Sequence, residues 1–266
     1  MPKICIDAGH YGLYNPGAIK GYYESQRMWK LHLLLKKALE EYGIEVITTR
    51  ANQRADLDLY ERGRKAKGCD AFISLHSNAA SAESVNYVVC MHQIDDNCKM
   101  DDTSKALAKK LATCVAGIMG AKAQTWSTKG SYDRDGNGYK DDYYGVLRGA
   151  HAVKVPGVII EHGFHTNKAQ ADWLMKDANL QKLADAEAAA IAEFFGVEKK
   201  PTEFKVEVKV KTLRIRSGAG TEHKIVGKVK RGEVYTITKT NDKGTWGRLK
   251  SGKGWICIKD TYVKKI

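Results

Sequence analysis

The chain lacks several features that would place it in a special class of protein. No apolar run in its 266 residues approaches the roughly 20 residues of a membrane helix, so we expect no membrane insertion. The N-terminus has no basic segment followed by an apolar stretch, which predicts no secretory signal peptide. The six cysteines show no CxxC spacing, which argues against a disulfide framework and a cysteine-rich zinc site. We therefore expect buried free thiols and synthesis in a reducing compartment.

Positive charge is concentrated in the C-terminal quarter. From Glu203 to Ile266 there are 17 Lys and Arg against 6 Asp and Glu, a net charge of +11, whereas the first 202 residues carry 27 against 25. Such a surface attracts polyanions, either nucleic acid or the anionic polymers of cell walls; a lysine-rich surface that is only solvated is the alternative. Because the segment has no recognisable motif for reading bases, the sequence favours no nucleic-acid partner.

The first 197 residues alternate predicted strands with predicted helices. Apolar runs predict strands at 4–7, 44–49, 71–75, 85–91 and 158–161. Amphipathic or alanine-rich stretches predict helices at 24–42, 57–67, 104–119 and 178–195. This alternation predicts an α/β domain with a mostly parallel sheet and helices on both faces. Ligands of such sheets bind beyond the carboxyl ends of the strands.

Residues that can bind a metal stand at these strand ends. His10 follows the first predicted strand, His76 follows the third, and Glu161 ends the last. Glu24 opens the first predicted helix, so its carboxylate can point back toward His10. Two imidazoles and a carboxylate are a known ligand set of catalytic zinc, which lowers the pKa of bound water to about 7. The sequence predicts zinc ligands His10, Glu24 and His76, with Glu161 as general acid/base.

Six further histidines are not assigned to this site: His32, His92, His151, His162, His165 and His223. His32 lies within a predicted helix, and His151 lies in a predicted loop. Only His162 and His165 are close enough to Glu161 in sequence to line the cleft, and neither is needed to complete the ligand set.

A second metal hypothesis concerns the loop 133–144. Side chains with oxygen atoms stand at its positions 1, 3, 5 and 9, and glycine stands at position 6, as in an EF-hand-type calcium loop. Position 12 is Tyr144, where a bidentate carboxylate is expected. The sequence therefore favours a polar, turn-rich loop near the cleft and keeps calcium as the alternative.

The last part of the chain has a different sequence pattern. After a predicted linker at 198–204, residues 205–266 form short β-rich runs separated by glycines, which predicts a small all-β barrel. Four aromatic residues are candidates for stacking on sugar or peptide: Tyr235, Trp246, Trp255 and Tyr262. The alternative is that they form the core and rim of the barrel.

Five separated segments resemble the zinc-dependent N-acetylmuramoyl-L-alanine amidases. In the family's order, they are IDAGHYG (6–12), NPGAIKGYYES (15–25), VITTR (46–50), LYERGRKAKGCDAFISLHSNA (59–79) and YGVLRGAHAVKVPGVIIEHGFHTN (144–167). The resemblance covers about residues 1–196 and implies an α/β amidase fold with one zinc. It implies the same roles for His10, Glu24, His76 and Glu161 as the residues themselves suggest.

The resemblance also implies the reaction. These amidases hydrolyse peptidoglycan at the amide between the lactyl group of N-acetylmuramic acid and L-alanine. The sequence departs from the family pattern at Ser25-Gln26, at His162 and at His165. Two alternatives are a zinc peptidase that cuts within the stem peptide and a non-catalytic protein that binds the wall. The second is disfavoured because all four chemical positions are occupied.

The C-terminal segment resembles bacterial SH3-like domains through LRIRSGAGTEHKIVGKVKRGE (213–233) and WGRLKSGKGWICIKDTYV (246–263). In this family such domains tether enzymes to the cell wall. An amidase with a wall-binding module and no signal peptide resembles a phage endolysin, and a bacterial autolysin is the alternative. We expect an endolysin of this kind to accumulate in the cytoplasm of a Gram-positive host and to act on the wall at lysis.

Overall fold

A computed structural model of the protein describes residues 1–94, 99–134, 136, 138–199, 203–241 and 243–266. The chain divides into two compact units, Met1–Lys199 and Lys200–Ile266. The first unit contains, in chain order, β1 (Lys3–Ala8), α1 (Glu24–Glu41), β2 (Glu45–Thr48), α2 (Leu59–Arg64), β3 (Ala71–Asn78), β4 (Tyr87–His92), α3 (Lys99–Met119), β5 (Lys122–Trp126), α4 (Gly145–Ala152), β6 (Gly157–Phe164), α5 (Lys168–Met175) and α6 (Asp177–Phe194).

The strands of the first unit form one six-stranded sheet in the order β2-β1-β3-β6-β4-β5. The first four strands of this order are parallel, and so are β4 and β5. The single antiparallel pairing, between β4 and β6, reverses the direction of the last two strands. The predicted mostly parallel sheet is confirmed, and it brings the ends of β1, β3 and β6 to one edge.

Helices cover both faces of this sheet, as predicted. In β1, Ile4 and Ile6 point into the core that the sheet forms with α1, α3 and α6. Cys5, between them, points to the opposite core, which includes Leu147 of α4. Successive strand residues face opposite sides, so a strand buried on both faces is apolar at nearly every position. That explains the continuous apolar runs from which the strands were predicted.

Helix ends place two parts of the site. Glu24 is the first residue of α1, where the helix dipole favours a carboxylate. Gly43, at φ +79°, follows the last turn of α1 in the left-handed conformation that glycine adopts most readily. Asp58 caps α2 by accepting hydrogen bonds from the backbone N–H groups of Tyr60 and Glu61.

Three elements of the first unit were not predicted from the sequence, and two strands are longer than expected. The missed elements are β5, α4 and α5. Strand β5 has exposed side chains at four of its five positions, so no alternation of apolar residues marks it. Helices α4 and α5 have eight residues each, shorter than the window in which helical periodicity is evident. Strand β3 continues beyond His76, and β6 continues beyond Glu161.

The second unit is an antiparallel sheet of seven strands: β7 (Phe204–Val208), β8 (Thr212–Arg216), β9 (Ile225–Lys230), β10 (Val234–Thr240), β11 (Trp246–Leu249), β12 (Trp255–Cys257) and β13 (Val263–Lys265). Its core is wholly apolar and includes Val206, Ile215 and Ile237. The all-β prediction is confirmed. Residues 200–202 of the predicted linker lie outside the described residues.

Two sequence expectations bear on compartment and membrane. The five described cysteines are free: Cys5, Cys69, Cys90, Cys114 and Cys257. The sixth, Cys98, lies outside the described residues. None of the helices in the described part of the chain has the length and apolar content that a membrane span requires.

Candidate active site

Three predicted ligands come together at the sheet edge. One ligand atom each of His10, Glu24 and His76 lies within 4.8 Å of the others. Oε1 of Glu24 is 2.9 Å from Nδ1 of His76, and Oε2 of Glu24 is 3.3 Å from Nε2 of His10. Glu24 is only 1% exposed, whereas both imidazoles are partly exposed. The group is therefore a candidate metal-binding site with its carboxylate at the bottom and its imidazoles toward solvent.

The backbone around His10 is shaped to admit the second imidazole. His10 itself has φ +57°, a left-handed conformation that is uncommon outside glycine. At the preceding Gly9, a Cβ atom would lie 2.4–2.7 Å from ring atoms of His76. Any other residue there would displace the His76 ring. The ring of His10 stacks on the ring of Tyr14, with 5.0 Å between the ring centroids. It packs edge-on against the ring of His76, also with 5.0 Å between centroids.

Glu24 is held by further donors. Asn15 donates to Oε2 of Glu24 at 2.6 Å, and the backbone N–H of Ser77 donates to Oε1 at 3.0 Å. Burial alone raises the pKa of Glu24, but its hydrogen bonds with His10 and His76 outweigh burial and hold the pKa below the ordinary value. The carboxylate is thus ionised and fixed in place, as a metal ligand must be.

Glu161 lies on the strand beside His76. In β6 it is in register with His76 of β3 on one side and Val89 of β4 on the other. Its Oε2 atom is buried and makes no hydrogen bond within the described residues. Burial, with the charge of Glu24 added, raises the pKa of Glu161 to about 8. A buried carboxyl oxygen without a partner is suited to exchanging a proton with a bound reactant.

Beneath the β1 turn lies a charged network that the sequence reasoning missed. Buried Asp7 accepts hydrogen bonds from Thr49 and Ser74. Arg50 donates to the carbonyl of Ala8 at 2.7 Å, and Arg62 lies 3.7 Å from Asp7. The network fixes the backbone just before His10. The signal in the sequence was a charged residue, Asp7, inside an apolar strand, which requires partners when it is buried.

His162 and His165 are both buried beside the site, and Nδ1 of His165 lies 3.9 Å from Oε2 of Glu24. His162 is fully buried; its Nδ1 is 2.9 Å from the carbonyl of His76, and its Nε2 is 3.0 Å from Oε1 of Glu187. Burial lowers the pKa of His162, but the charge and hydrogen bond of Glu187 outweigh burial and raise it. His165 places Nδ1 2.7 Å from the carbonyl of Ser77.

The other unassigned histidines lie away from the site. His32 is buried in α1, and burial lowers its pKa to about 4. His151 lies in α4, which corrects its placement in a loop, because the short helix was not predicted. His92 ends β4, and His223 is partly exposed in the second unit.

The loop 133–144 yields no test of the calcium hypothesis, because Asp135 and Asn137 lie outside the described residues. Among the described ones, Asp133 accepts hydrogen bonds from the backbone N–H groups of Gly136 and Gly138. Asp142 accepts one from Tyr144. Calcium binding by this loop stays a prediction.

A cavity of about 820 Å³ opens in the second unit. Trp246 and Tyr262 line it, together with four cationic side chains, Arg214, Arg216, Lys243 and Lys259. Tyr235 instead packs against the core of the sheet. Of the four aromatic candidates, Trp246 and Tyr262 are thus placed where a ligand could stack on them, and Tyr235 has the structural role that was the alternative. The fourth, Trp255, is a partly buried residue of β12 that does not line the cavity.

Comparisons with known proteins agree with this geometry. Residues 4–193 match the family profile described as N-acetylmuramoyl-L-alanine amidase, and residues 211–261 match the bacterial SH3 domain. The chain is 28% identical over 204 residues to the endolysin of Bacillus phage SPP1, covering 74% of this chain and 67% of that protein. It is 23% identical over 223 residues to the N-acetylmuramoyl-L-alanine amidase CwlM of Bacillus licheniformis, covering 82% and 78%.

A solved structure has the same fold. The catalytic domain of the N-acetylmuramoyl-L-alanine amidase CwlV from Bacillus (Paenibacillus) polymyxa var. colistinus superposes with a TM-score of 0.60 at 22% identity, covering 74% of this chain and 100% of that domain. The family profile spans more than two thirds of the 266 residues and includes both histidines and both glutamates of the candidate site. With its α/β amidase unit followed by a bacterial SH3 domain, the chain belongs to the N-acetylmuramoyl-L-alanine amidase family.

Proposed function

We propose that this peptidoglycan amidase is zinc-dependent, with His10, Glu24 and His76 as the zinc ligands and Glu161 as general acid/base. The bond cut is the amide between the lactyl group of N-acetylmuramic acid and L-alanine. The observation that carries the proposal is the convergence of three ligand atoms within 4.8 Å of one another, with Glu161 on the adjacent strand.

The donor set fits zinc better than the common hard cations. Calcium and magnesium prefer oxygen ligands, whereas two imidazole nitrogens and one carboxylate are typical of zinc. Three protein ligands are also what a catalytic zinc site provides, because a fourth position must stay open. The low pKa of Glu24 keeps a negative charge at the bottom of the site to balance the cation.

When bound, zinc supplies a Lewis acid that polarises the scissile carbonyl and lowers the pKa of a water molecule. Glu161 handles the protons. Its buried Oε2 accepts one from the attacking water and returns it to the amine nitrogen of L-alanine as the amide bond breaks. Asn15 and Ser77 keep Glu24 oriented throughout.

We also propose that the second unit, with domain boundaries at 1–197 and 205–266 and a linker at 198–204, binds the cell wall. Its net charge of +11 and the cations around its cavity favour an anionic wall polymer as part of the ligand. The described compact units support this division. As in a phage endolysin, the protein would accumulate in the host bacterial cytoplasm and act on the wall at lysis.

The proposal is tested on purified Gram-positive cell walls. Turbidity is followed with the enzyme, with the enzyme plus chelator, and with the chelated enzyme restored by zinc, and new amino termini are labelled. We expect zinc-dependent lysis that exposes N-terminal alanine and leaves the glycan intact. New termini on another residue would identify a stem-peptide peptidase, and wall binding without cleavage would identify a tethering protein.

A further inference from the structure

An irregularity in strand pairing lies next to the candidate site. His76 of β3 is in register with Glu161 of β6, but Asn78 is in register with Phe164, so β6 contains one extra residue at this point. Gly163 in this bulge has φ +69°. A bulge interrupts the ladder of backbone hydrogen bonds and redirects the strand locally. The backbone that carries His76 therefore needs other partners here.

Two buried histidines of β6 and the following turn supply these partners. Nδ1 of His162 is 2.9 Å from the carbonyl oxygen of His76, and Nδ1 of His165 is 2.7 Å from that of Ser77. Since a carbonyl oxygen only accepts, each Nδ1 is the donor. Consecutive carbonyls of β3, opposite the bulge in β6, are thus held by these two imidazoles.

Glu187 of α6 is the partner of the second nitrogen of His162. Its Oε1 is 3.0 Å from Nε2 of His162, and both side chains are fully buried. With Glu187 at Nε2 and the carbonyl of His76 at Nδ1, both nitrogens of the His162 ring have a polar partner. Oε2 of Glu187 has no hydrogen-bond partner among the described residues. A buried ion pair is weak evidence for stability, because desolvation offsets the attraction.

We propose that His162 and Glu187 are positioning residues for the metal ligand His76. Glu187 holds the His162 ring with its Nδ1–H toward β3, and His162 fixes the carbonyl of His76 across the bulge. The direction of the His76 side chain, and its approach to Glu24, depend on this backbone. Hydrogen-bonded partners of metal ligands typically change metal affinity about 10–100-fold when they are removed. The inference rests on the zinc site proposed above.

The test uses the full chain and zinc itself as the probe, in competition with a chromogenic chelator. In the double variant His162→Leu/Glu187→Leu, the buried pair is replaced by apolar side chains, an exchange that often preserves stability. We expect a metal-free thermal midpoint close to that of the wild type and zinc affinity reduced about 10–100-fold. The isosteric Glu187→Gln keeps the shape of the side chain but gives Nε2 of His162 a neutral and therefore weaker partner, so we expect a smaller loss, about three- to tenfold.

The matched control is Ile191→Val, one turn after Glu187 on the buried face of α6. It should lower the thermal midpoint without changing zinc affinity. Wild-type affinity in folded double and Glu187→Gln variants would overturn the positioning role. If the double variant does not fold, Glu187→Gln decides alone. If the wild type itself binds no zinc, the proposed metal site has failed, which is a different result.

Discussion

The two units of this protein bury different kinds of side chain. The first buries ionisable groups, among them Asp7, Glu24, His162 and Glu187, within or behind its sheet. Among the described residues of the second unit, the buried side chains are apolar, and every charged one is at least partly exposed. The second unit nevertheless carries most of the net charge of the chain.

This difference indicates that the first unit acts through its interior and the second through its surface. A buried charge is costly unless neighbouring groups compensate it, so the polar interior of the first unit is a site for chemistry with fixed geometry. An apolar interior under a charged surface is a scaffold that presents cations to a partner outside. Changes inside the first unit should therefore abolish activity, whereas changes on the second should alter binding by smaller factors.

The largest effect is expected for His76→Ala. The variant loses one of the three proposed zinc ligands, so we expect zinc content and wall-lysing activity to fall together to background. Metal content by atomic absorption and turbidity loss check this. His223→Ala, which removes a partly exposed histidine of the second unit, is the control and should keep both. Full zinc occupancy in His76→Ala would show that His76 is not a zinc ligand.

Glu161→Gln should separate chemistry from metal binding. The amide cannot exchange a proton at Oε2, so we expect activity to fall about 10²–10⁴-fold while zinc is retained. Exposed Glu83→Gln in the same unit is the control and should match the wild type. Release of new amino termini and zinc content are measured together. Loss of zinc from Glu161→Gln would mean that its role is ligation.

A smaller effect is expected on the second unit. Reversing two charges at its cavity, with Arg214→Glu and Lys259→Glu, should weaken binding to purified walls by about tenfold and reduce the dependence on salt. Cleavage of a soluble muropeptide should be unchanged. Lys228→Glu combined with Lys264→Glu, which reverses two exposed charges that do not line the cavity, is the matched control. Equal loss in both variants would show that the overall charge, not the cavity, binds the wall.

The smallest effect concerns pH and the metal-free protein. The pKa of Glu161 is raised from 4.5 to about 8 in the folded state, so folding favours its protonated form. That stabilisation is complete below about pH 4.5 and is lost as pH rises toward 8. Glu161→Gln cannot ionise and escapes this loss. With chelator present, we compare the thermal midpoints of Glu161→Gln and the wild type at each pH. The midpoint of the variant minus that of the wild type should increase by at least about 3 °C between pH 5 and pH 8. A constant difference would contradict the raised pKa.

Part of the site was predictable because its residues stand at positions with a clear local meaning. His10 follows an apolar strand, His76 lies near the end of another, and Glu24 opens a helix, so the rule for strand ends of parallel sheets brings them together. Glu187 also left a signal: it shares the buried stripe of α6 with Leu183 and Ile191. A carboxylate at a core position requires a partner, but nothing in its own helix shows that this partner is His162 of β6.

The sequence by itself determined the division into an α/β unit and a basic all-β unit, and the residue types of the proposed zinc site. Periodicity and composition are local properties, so they can be determined without knowledge of the tertiary contacts. Only the tertiary structure decided that β4 and β5 run opposite to the other four strands of the sheet and that His162 and His165 support β3. These features depend on register between strands distant in sequence, and a shift of one residue would turn each side chain to the other face.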